Sequence, residues 1–302
     1  MLARKLQFAT ILSILGALVW LVYFWPRSQA LALIGFFVIL FNFAPMLAMQ
    51  FLTACQINKR HPQAPMAGRF ELFRAWWAET WAVPLVFCWR QAFRSNQIPD
   101  QTGPDPANNL QGKRRGVVFV HGFISNRGMW TPWLAELQAQ KRSFAAVNLE
   151  PVLGSIDDYP AIIERAVQAV TQATGLPPLL VCHSMGGLAA RAWLQSADGN
   201  DVRVHHVITV GTPHHGTWIG LNRVPPNMKQ MKIGSDWLKQ LASNEPAGRY
   251  QRFTCFYSNC DNIVFPTLTA TLPGADNRHV PGEPHVVMLF NQTVMRTSLA
   301  ML

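Results

Sequence analysis

Leu6 to Trp25 is twenty residues without a charge. At a rise of about 1.5 Å per residue, a helix of that length crosses the roughly 30 Å hydrocarbon core of a bilayer. A second uncharged run, Ala30 to Gln56, follows after only Pro26, Arg27, Ser28 and Gln29, which read as a tight hairpin turn. Its far end is less purely apolar, with Asn42, Pro45 and Gln50. Two other readings compete. A secretory signal fits the basic Arg4-Lys5 start and the Ala30-Leu31-Ala32 stretch. Its apolar region, however, normally runs about 7–15 residues, and here another apolar run follows at once. A buried core helix fits the second run alone, but that run precedes any recognisable domain. The expectation is a two-helix transmembrane hairpin over residues 1–58.

Flanking basic residues orient such a hairpin. Arg4 and Lys5 precede it, and Lys59, Arg60, Arg69 and Arg74 follow it, whereas the connecting turn carries only Arg27. Both ends, and the bulk of the chain, are therefore expected on the cytoplasmic side of a bacterial inner, or plasma, membrane. The formal charge of +10 invites a nucleic-acid reading. No groove-reading motif or aromatic-basic interleaving accompanies it. Attraction to anionic lipid headgroups and plain solvated charge remain as the two explanations. The five cysteines, Cys55, Cys88, Cys182, Cys255 and Cys260, match no zinc spacing, and their odd number argues against a full disulfide framework. A Cys255–Cys260 bridge fits only the inverted topology, because a reducing cytosol disfavours disulfides.

Residues 59–115 divide into a Trp-rich amphipathic stretch and a linker. From Gly68 to Arg94, Trp76, Trp77, Trp81 and Trp89 alternate with Glu71, Arg74, Glu79 and Arg90. That pattern suits an interfacial helix or a helix packed on the following domain, with Pro84 kinking or dividing it. Residues 95–115, rich in Pro, Gly, Asn and Asp, read as the linker.

From Gly116 the texture changes. Short apolar runs at Gly116–Val120, Phe144–Leu149, Leu179–Cys182, Val204–Val210 and Arg252–Tyr257 read as strands. Between and after them, Met129–Gln140, Asp157–Thr174, Met185–Gln195 and Gln292–Met301 read as helices. Such alternation predicts an α/β fold with a mainly parallel sheet covered on both faces.

Two stretches of this region carry chemistry. In "LLVCHSMGGLAAR", Leu179 to Arg191, Ser184 lies between a buried strand and a helix. That is the context of a nucleophile elbow, where small flanking residues let backbone segments pass closely. Gly186 and Gly187 supply them on the helix side; Cys182 stands where glycine is usual on the strand side. A helix-capping serine is the competing reading. In "VVFVHGF", strand Val117–Val120 ends in His121-Gly122-Phe123. Acyl transfer creates an oxyanion that needs fixed N–H donors, and the amides of Met185 and Phe123 are the candidates.

These motifs resemble the α/β-hydrolase superfamily, and within it bacterial triacylglycerol lipases and esterases, over about Gly116 to Leu302. His121-Gly122-Phe123 looks like the oxyanion loop and His183-Ser184-Met185-Gly186-Gly187 like the elbow. "VGTPHHGT", Val210 to Thr217, resembles a lipase strand-end segment, and "MKIGSDWLKQL", Met231 to Leu241, another segment of that family. The resemblance implies the chain order Ser, acid, His. Among the aspartates, Asp198 and Asp201 read as turn residues and Asp236 as helix-starting. Asp261 in "YSNCDNIVFP" resembles the acid-bearing loop, with Asp276 as runner-up. "VPGEPHVVMLFNQTVM" resembles the family's final pattern and selects His285, with His279 as fallback. His121 and His183 stand in the wrong order, His205 and His206 sit in a strand, and His214 and His215 are read as holding a strand end rather than a metal. The implied triad is Ser184, Asp261 and His285, with Phe123 and Met185 as the oxyanion hole and neither a metal nor an organic cofactor. Some related lipases use calcium, but no ligand cluster stands out here.

The catalytic domain is expected over 116–302, with a lid-like insertion at about 217–245. Trp218, Ile219, Leu221, Met228, Met231, Ile233, Trp237 and Leu238 there, with Lys229, Lys232 and Lys239 interspersed, suit either a cap over acyl chains or ordinary core. The activity implied is ester hydrolysis on lipid or other apolar esters. Thioesterase, acyltransferase and polyester depolymerase use the same triad, and a catalytically silent membrane scaffold is the reading from another class.

Overall fold

The computed structural model describes residues 1–103, 113–196, 200–220 and 223–302. It opens with three helices. α1 (Leu2–Phe24) has a mean hydropathy of 2.0 and leaves Phe8, Val19 and Val22 about 70% exposed. α2 (Gln29–Leu40) starts at Ser28, whose Oγ accepts the Leu31 amide at 3.3 Å. It lies close along α1: a Cβ on Gly35 would fall 1.8 Å from the Trp20 indole nitrogen. The second uncharged run is not one helix, as its length suggests. α2 ends at Leu40, and α3 (Ala44–Asn58) departs at 54°. Pro45 explains the break, because it has no N–H to continue a ladder from α2 but fits the first turn of a new helix. By length and composition α1 alone suffices to cross a membrane, and α2 with α3 only as a bent pair.

α4 (Arg69–Val83) carries the tryptophans. Pro84 divides this stretch, as expected: α4 stops at Val83, and the chain continues as a π-helical segment, Pro84–Arg90, and a last turn, α5 (Gln91–Phe93). A proline ring presses on the carbonyl four residues back and offers no N–H to it, and a widened turn relieves both problems. Val86 of this segment is fully buried against the core.

The sheet has six strands, β1 (Val117–Val120), β2 (Phe144–Ala146), β3 (Leu179–His183), β4 (His206–Val210), β5 (Phe253–Tyr257) and β6 (Asp276–His279), in the order β2-β1-β3-β4-β5-β6. Every neighbouring pair is parallel. Successive side chains point to opposite faces, and both faces are covered. Val118, Val120, Leu180 and Cys182 face α7 (Pro160–Thr174) and α8 (Met185–Gln195), through Ile163, Val167 and Leu188. Val117, Phe119, Leu179 and Val181 face the other layer, where Trp133 of α6 (Thr131–Ala139) and Val294 of α11 (Gln292–Leu299) pack. Each such fully buried side chain is worth about 1.5–3 kcal/mol over exposure.

β6 falls where the sequence reads as loop. All four of its residues, Asp276, Asn277, Arg278 and His279, are exposed, so no apolar pattern marks them; pairing with β5 makes the strand. The expected linker also departs from expectation in its described part. Gln101 exchanges two 2.9 Å backbone hydrogen bonds with Phe144 and so covers part of the edge strand β2. Residues 104–112 of that linker lie outside the described residues. The insertion contains α9 (Pro226–Gln230) and α10 (Asp236–Ser243).

Candidate active site

Ser184 ends the central strand β3 with φ 55° and ψ −129°, a conformation that residues bearing a side chain rarely adopt. The surroundings hold it there. Its amide donates to Val210 O at 2.9 Å, and its carbonyl accepts from Thr212 Oγ1 at 2.8 Å. The turn closes only because the next positions lack side chains: a Cβ on Gly186 would meet Val120 O at 2.3 Å, and one on Gly187 would meet Thr212 Oγ1 at 2.3 Å. Ser184 occupies the N-cap position of α8 yet makes no capping hydrogen bond; it lines a cavity of about 520 Å³ instead. Cys182 is wholly buried in β3, and burial pushes its thiol far above the ordinary range, so it stays protonated.

The loop after β1 presses on Ser184 from one side. A Cβ on Gly122 would stand 2.8 Å from Ser184 Cβ. Phe123 lines the same cavity, and Ile124 next to it has φ 46°, strained for a β-branched residue. The Met185 amide opens α8 and lies outside that helix's own hydrogen-bond ladder. Both candidate donors thus flank Ser184.

Asp261 and His285 meet from separate loops. His285 Nδ1–H donates to Asp261 Oδ2 at 2.9 Å and Oδ1 at 3.0 Å, with both side chains buried. Oδ1 also accepts the amides of Ile263 (2.9 Å) and Val264 (2.8 Å), which fix the carboxylate. With Nδ1 committed to Asp261, Nε2 is the nitrogen left to act as base. None of the His285 hydrogen bonds reaches Ser184 Oγ; in unliganded sites such contacts are often long and tighten with substrate. Gly211, at φ 58°, lies between the groups. Its missing Cβ would stand 3.1 Å from both Asp261 Oδ2 and His285 Nδ1, while its neighbours Val210 and Thr212 hold Ser184. Burial works to lower the pKa of His285. The attraction and hydrogen bond of Asp261, with Glu79 farther off, outweigh it and leave the value raised.

The other candidates lie elsewhere. Asp276 pairs with Arg278 (2.7 Å) at the open edge of the sheet, and His279, also of β6, lies tilted against the ring of Tyr257 of β5 at 5.3 Å. Asp236 starts α10 beside Lys239, Asp201 pairs with Arg249 at 2.7 Å, and Asp198 lies outside the described residues. His121 accepts the Leu149 amide and stays neutral, its pKa pushed down to about 4 by burial. His183 Nε2–H donates to His285 O at 3.1 Å. His214 bonds Thr209 Oγ1, and its carbonyl takes Arg191 Nη1. That arginine forms a buried two-pronged pair with Glu245 (2.6 and 2.9 Å), tying the end of the insertion to α8.

Several residues around the site went unmarked in the sequence reading. Asn262 Oδ1 accepts the His285 amide at 3.2 Å, and its Nδ2–H donates to Gln50 Oε1 of α3 at 3.0 Å. Glu79 of α4 is 1% exposed, and accepts Val286 N at 3.0 Å and Val287 N at 3.2 Å. Burial raises its pKa to about 7, against the two amides and His285, which lower it. A signal for Glu79 was present: positions three and four residues either side, Ala75, Trp76, Ala82 and Val83, are all apolar, so the acid faces inward. The cavity itself is walled by α3 through Met46, Met49 and Thr53 and by the insertion through Trp218, Ile219 and Met231. Leu238 and Leu241 of α10 are buried in the core, so the insertion is part wall and part core; Leu221 lies outside the described residues.

A model of the alpha/beta hydrolase family matches residues 117–292, more than half of the chain. The solved structure of the Bacillus licheniformis lipase BlEst2 in mature form superposes with a TM-score of 0.54 at 20% identity, over 68% of this chain and 96% of that one. The propeptide form of the same lipase gives 0.54 at 19% identity, over 67% of this chain and 52% of that one. At such identities the likeness is one of fold. No curated protein matches the chain.

Proposed function

Because the chain belongs to the alpha/beta hydrolase family, we propose that it is a membrane-anchored serine ester hydrolase of the lipase or esterase kind, acting on apolar esters through an acyl-serine intermediate. The observation that carries this reading is the buried Asp261–His285 pair at 2.9 Å, set beside a serine held at φ 55° on the floor of an apolar cavity. Ser184 Oγ attacks the ester carbonyl while His285 Nε2 takes its proton. Asp261 holds the ring and stabilises the imidazolium. The amides of Phe123 and Met185 receive the oxyanion. His285 returns the proton to the leaving alcohol, and water, activated by the same nitrogen, releases the acid.

The substrate class follows from the walls. Met46, Met49 and Thr53 of α3 line the cavity together with Trp218 and Ile219, which suits an acyl chain delivered along the hairpin from a bilayer. The similarity in fold to a lipase agrees with that chemistry. The anchor is the uncharged hairpin, both of whose ends return to the catalytic side. Near the start of α1, Gln7 Nε2–H donates to Ala92 O at 2.7 Å, and at the end of α3, Asn58 Oδ1 accepts the Thr267 amide at 2.9 Å. With the flanking basic residues, that arrangement supports a multi-pass protein of a bacterial inner membrane with a cytoplasmic catalytic domain.

A fluorophosphonate probe on the full-length protein in detergent tests the reading. It should label Ser184, and Ser184→Ala should abolish labelling and lower p-nitrophenyl ester hydrolysis by about 10⁴-fold or more. An unlabelled wild-type chain would favour the silent scaffold. Preference for acyl-CoAs over oxygen esters would move the reading to a thioesterase.

A further inference from the structure

We propose that Glu79, which lies ahead of the family-matched region, is a positioning residue for His285, holding from α4 the loop that carries the base. The proposal rests on the hydrolase reading of Ser184, Asp261 and His285.

The backbone around His285 is clamped at four points. Its amide donates to Asn262 Oδ1 and its carbonyl accepts from His183 Nε2. The next two amides, Val286 and Val287, donate one each to the two carboxylate oxygens of Glu79. Those two amides open the short 3-10 turn Val287–Phe290, so they have no partners within it. Asn262 and His183 belong to the family-matched region; Glu79 does not.

A carboxylate suits this place better than any neutral side chain. Two N–H donors converge on two acceptor oxygens, each bond charge-assisted. A glutamine of the same size would turn its NH₂ toward one of those donors, losing a bond and setting donor against donor. Burial at 1% exposure makes an ionised carboxylate expensive unless such bonds and a nearby positive charge compensate. When His285 is protonated during acyl transfer it supplies that charge. The ionisable groups facing His285 are Asp261 from the loop after β5, Glu79 from α4 and the neutral His183 at the end of β3; those facing Glu79 are His285 and Asp261. Glu79 therefore does two things. It sets where the imidazole stands, and with Asp261 it favours the imidazolium.

The test uses the full-length protein in detergent and a short, soluble p-nitrophenyl ester, with kcat, KM, the pH profile of kcat/KM and the rate of fluorophosphonate labelling as readouts. Glu79→Gln should lower kcat and the labelling rate about 10- to 100-fold, the cost of a small misplacement of the base, with KM within about twofold. Its acidic limb should move to lower pH, because one negative charge beside the imidazolium is gone. Glu79→Asp keeps the charge but draws it back by one carbon. It should leave the acidic limb in place and recover part of the lost kcat. A Glu79→Gln protein that melts earlier but keeps wild-type kcat and acidic limb would overturn the proposal, leaving Glu79 as a support of the fold alone. If Glu79→Gln does not fold, Glu79→Asp decides: kcat reduced about threefold or more at unchanged KM supports the proposal, and wild-type kcat overturns it. A wild-type chain not labelled at Ser184 would overturn the hydrolase reading and this proposal together.

Discussion

From Val117 to Val120 and from Leu179 to Cys182 every side chain is fully buried, and alternate residues fill two separate layers. In α1 and α2, by contrast, Phe8, Val19, Val22, Ile34 and Val38 are each more than 60% exposed. The two regions have comparable apolar character but opposite ways of satisfying it. The sheet hides its apolar side chains within the chain. The two helices leave theirs uncovered, and α1 is long and apolar enough to cross a bilayer. Between them, α3 to α5 reach the sheet domain through individually specific polar contacts as well as apolar packing. Gln50 reaches Asn262, Asn58 the Thr267 amide, Glu71 Asn259, Glu79 the Val286 and Val287 amides, and Gln91 Asn126. Four of these five reach the loops after β5 that carry Asp261 and His285. The helices ahead of the sheet are therefore a buttress for the loops that carry Asp261 and His285.

Gly186→Ala breaks this comparison most severely. Its Cβ would lie 2.3 Å from Val120 O and 2.7 Å from His121 O, backbone atoms that cannot swing aside. The sheet domain should lose about 3 kcal/mol or more, the upper end for overpacking, and with it the Ser184 turn. The hairpin, which touches none of this, should keep its helicity. Circular dichroism through a thermal ramp, with fluorophosphonate labelling in parallel, separates the two. A single transition in which all helicity is lost together would show that the regions fold as one unit.

That asymmetry is also why the sequence reads so unevenly. The central strands and the Ser184 turn announce themselves locally, since β3, Ser184 and the glycines of α8 are contiguous and each is forced by sterics that a short window contains. Chain order and likeness of pattern could single out Asp261 and His285, but nothing local says that they meet; two loops 24 residues apart have to converge. β6 has no apolar pattern because its side chains are all exposed, and only its pairing with β5 creates it. The α2–α3 break was foreshadowed by Pro45, yet composition alone joins the two helices into one run. Gln50, Asn58 and Glu79 are hardest of all. Each is an ordinary polar residue whose partner lies about 200 residues later, and only the inward-facing position of Glu79 hints at its partner.

Acid should separate the regions more gently. Seven histidines, His121, His183, His205, His206, His214, His215 and His279, have lowered pKa values, with burial the largest cause in each, and all lie after residue 116. A base whose native pKa is depressed binds fewer protons folded than unfolded, so stability falls as pH drops below the ordinary value of 6.5. For the fully buried His121, His183 and His214 the slope is about 1.4 kcal/mol per pH unit each. His285 and Glu79, both raised, act the other way: each binds its proton more readily in the folded state and so adds stability as pH falls through its native value, about 7 for Glu79. The histidines outnumber them. Residues 1–58 contain neither histidine nor any acid. Between pH 6.5 and 4.5 the midpoint of core unfolding should drop steadily while hairpin helicity in detergent holds. An acid-insensitive core would mean that the buried imidazoles accept protons without opening.

The smallest expected effect sharpens the comparison most, because it asks whether α3 also selects substrate. Thr53 lines the cavity from α3, bonded through Oγ1–H to Met49 O at 2.8 Å, and Trp218 lines the same cavity. Thr53→Trp would fill space there without touching Ser184, Asp261 or His285. If α3 is a wall of the acyl site, hydrolysis of a long-chain p-nitrophenyl ester should fall about tenfold, or about 1.4 kcal/mol at the transition state, as kcat/KM. The acetate ester, which does not reach that far, should stay within about twofold. Equal loss on both would mean that the substitution disturbs the buttress rather than the cavity. No loss on either would place the acyl chain against the insertion alone and leave α3 as a buttress of the loops after β5. A chain-length effect confined to long esters would instead make α3 serve both regions, packing beside the apolar helices and shaping the cavity that selects the substrate.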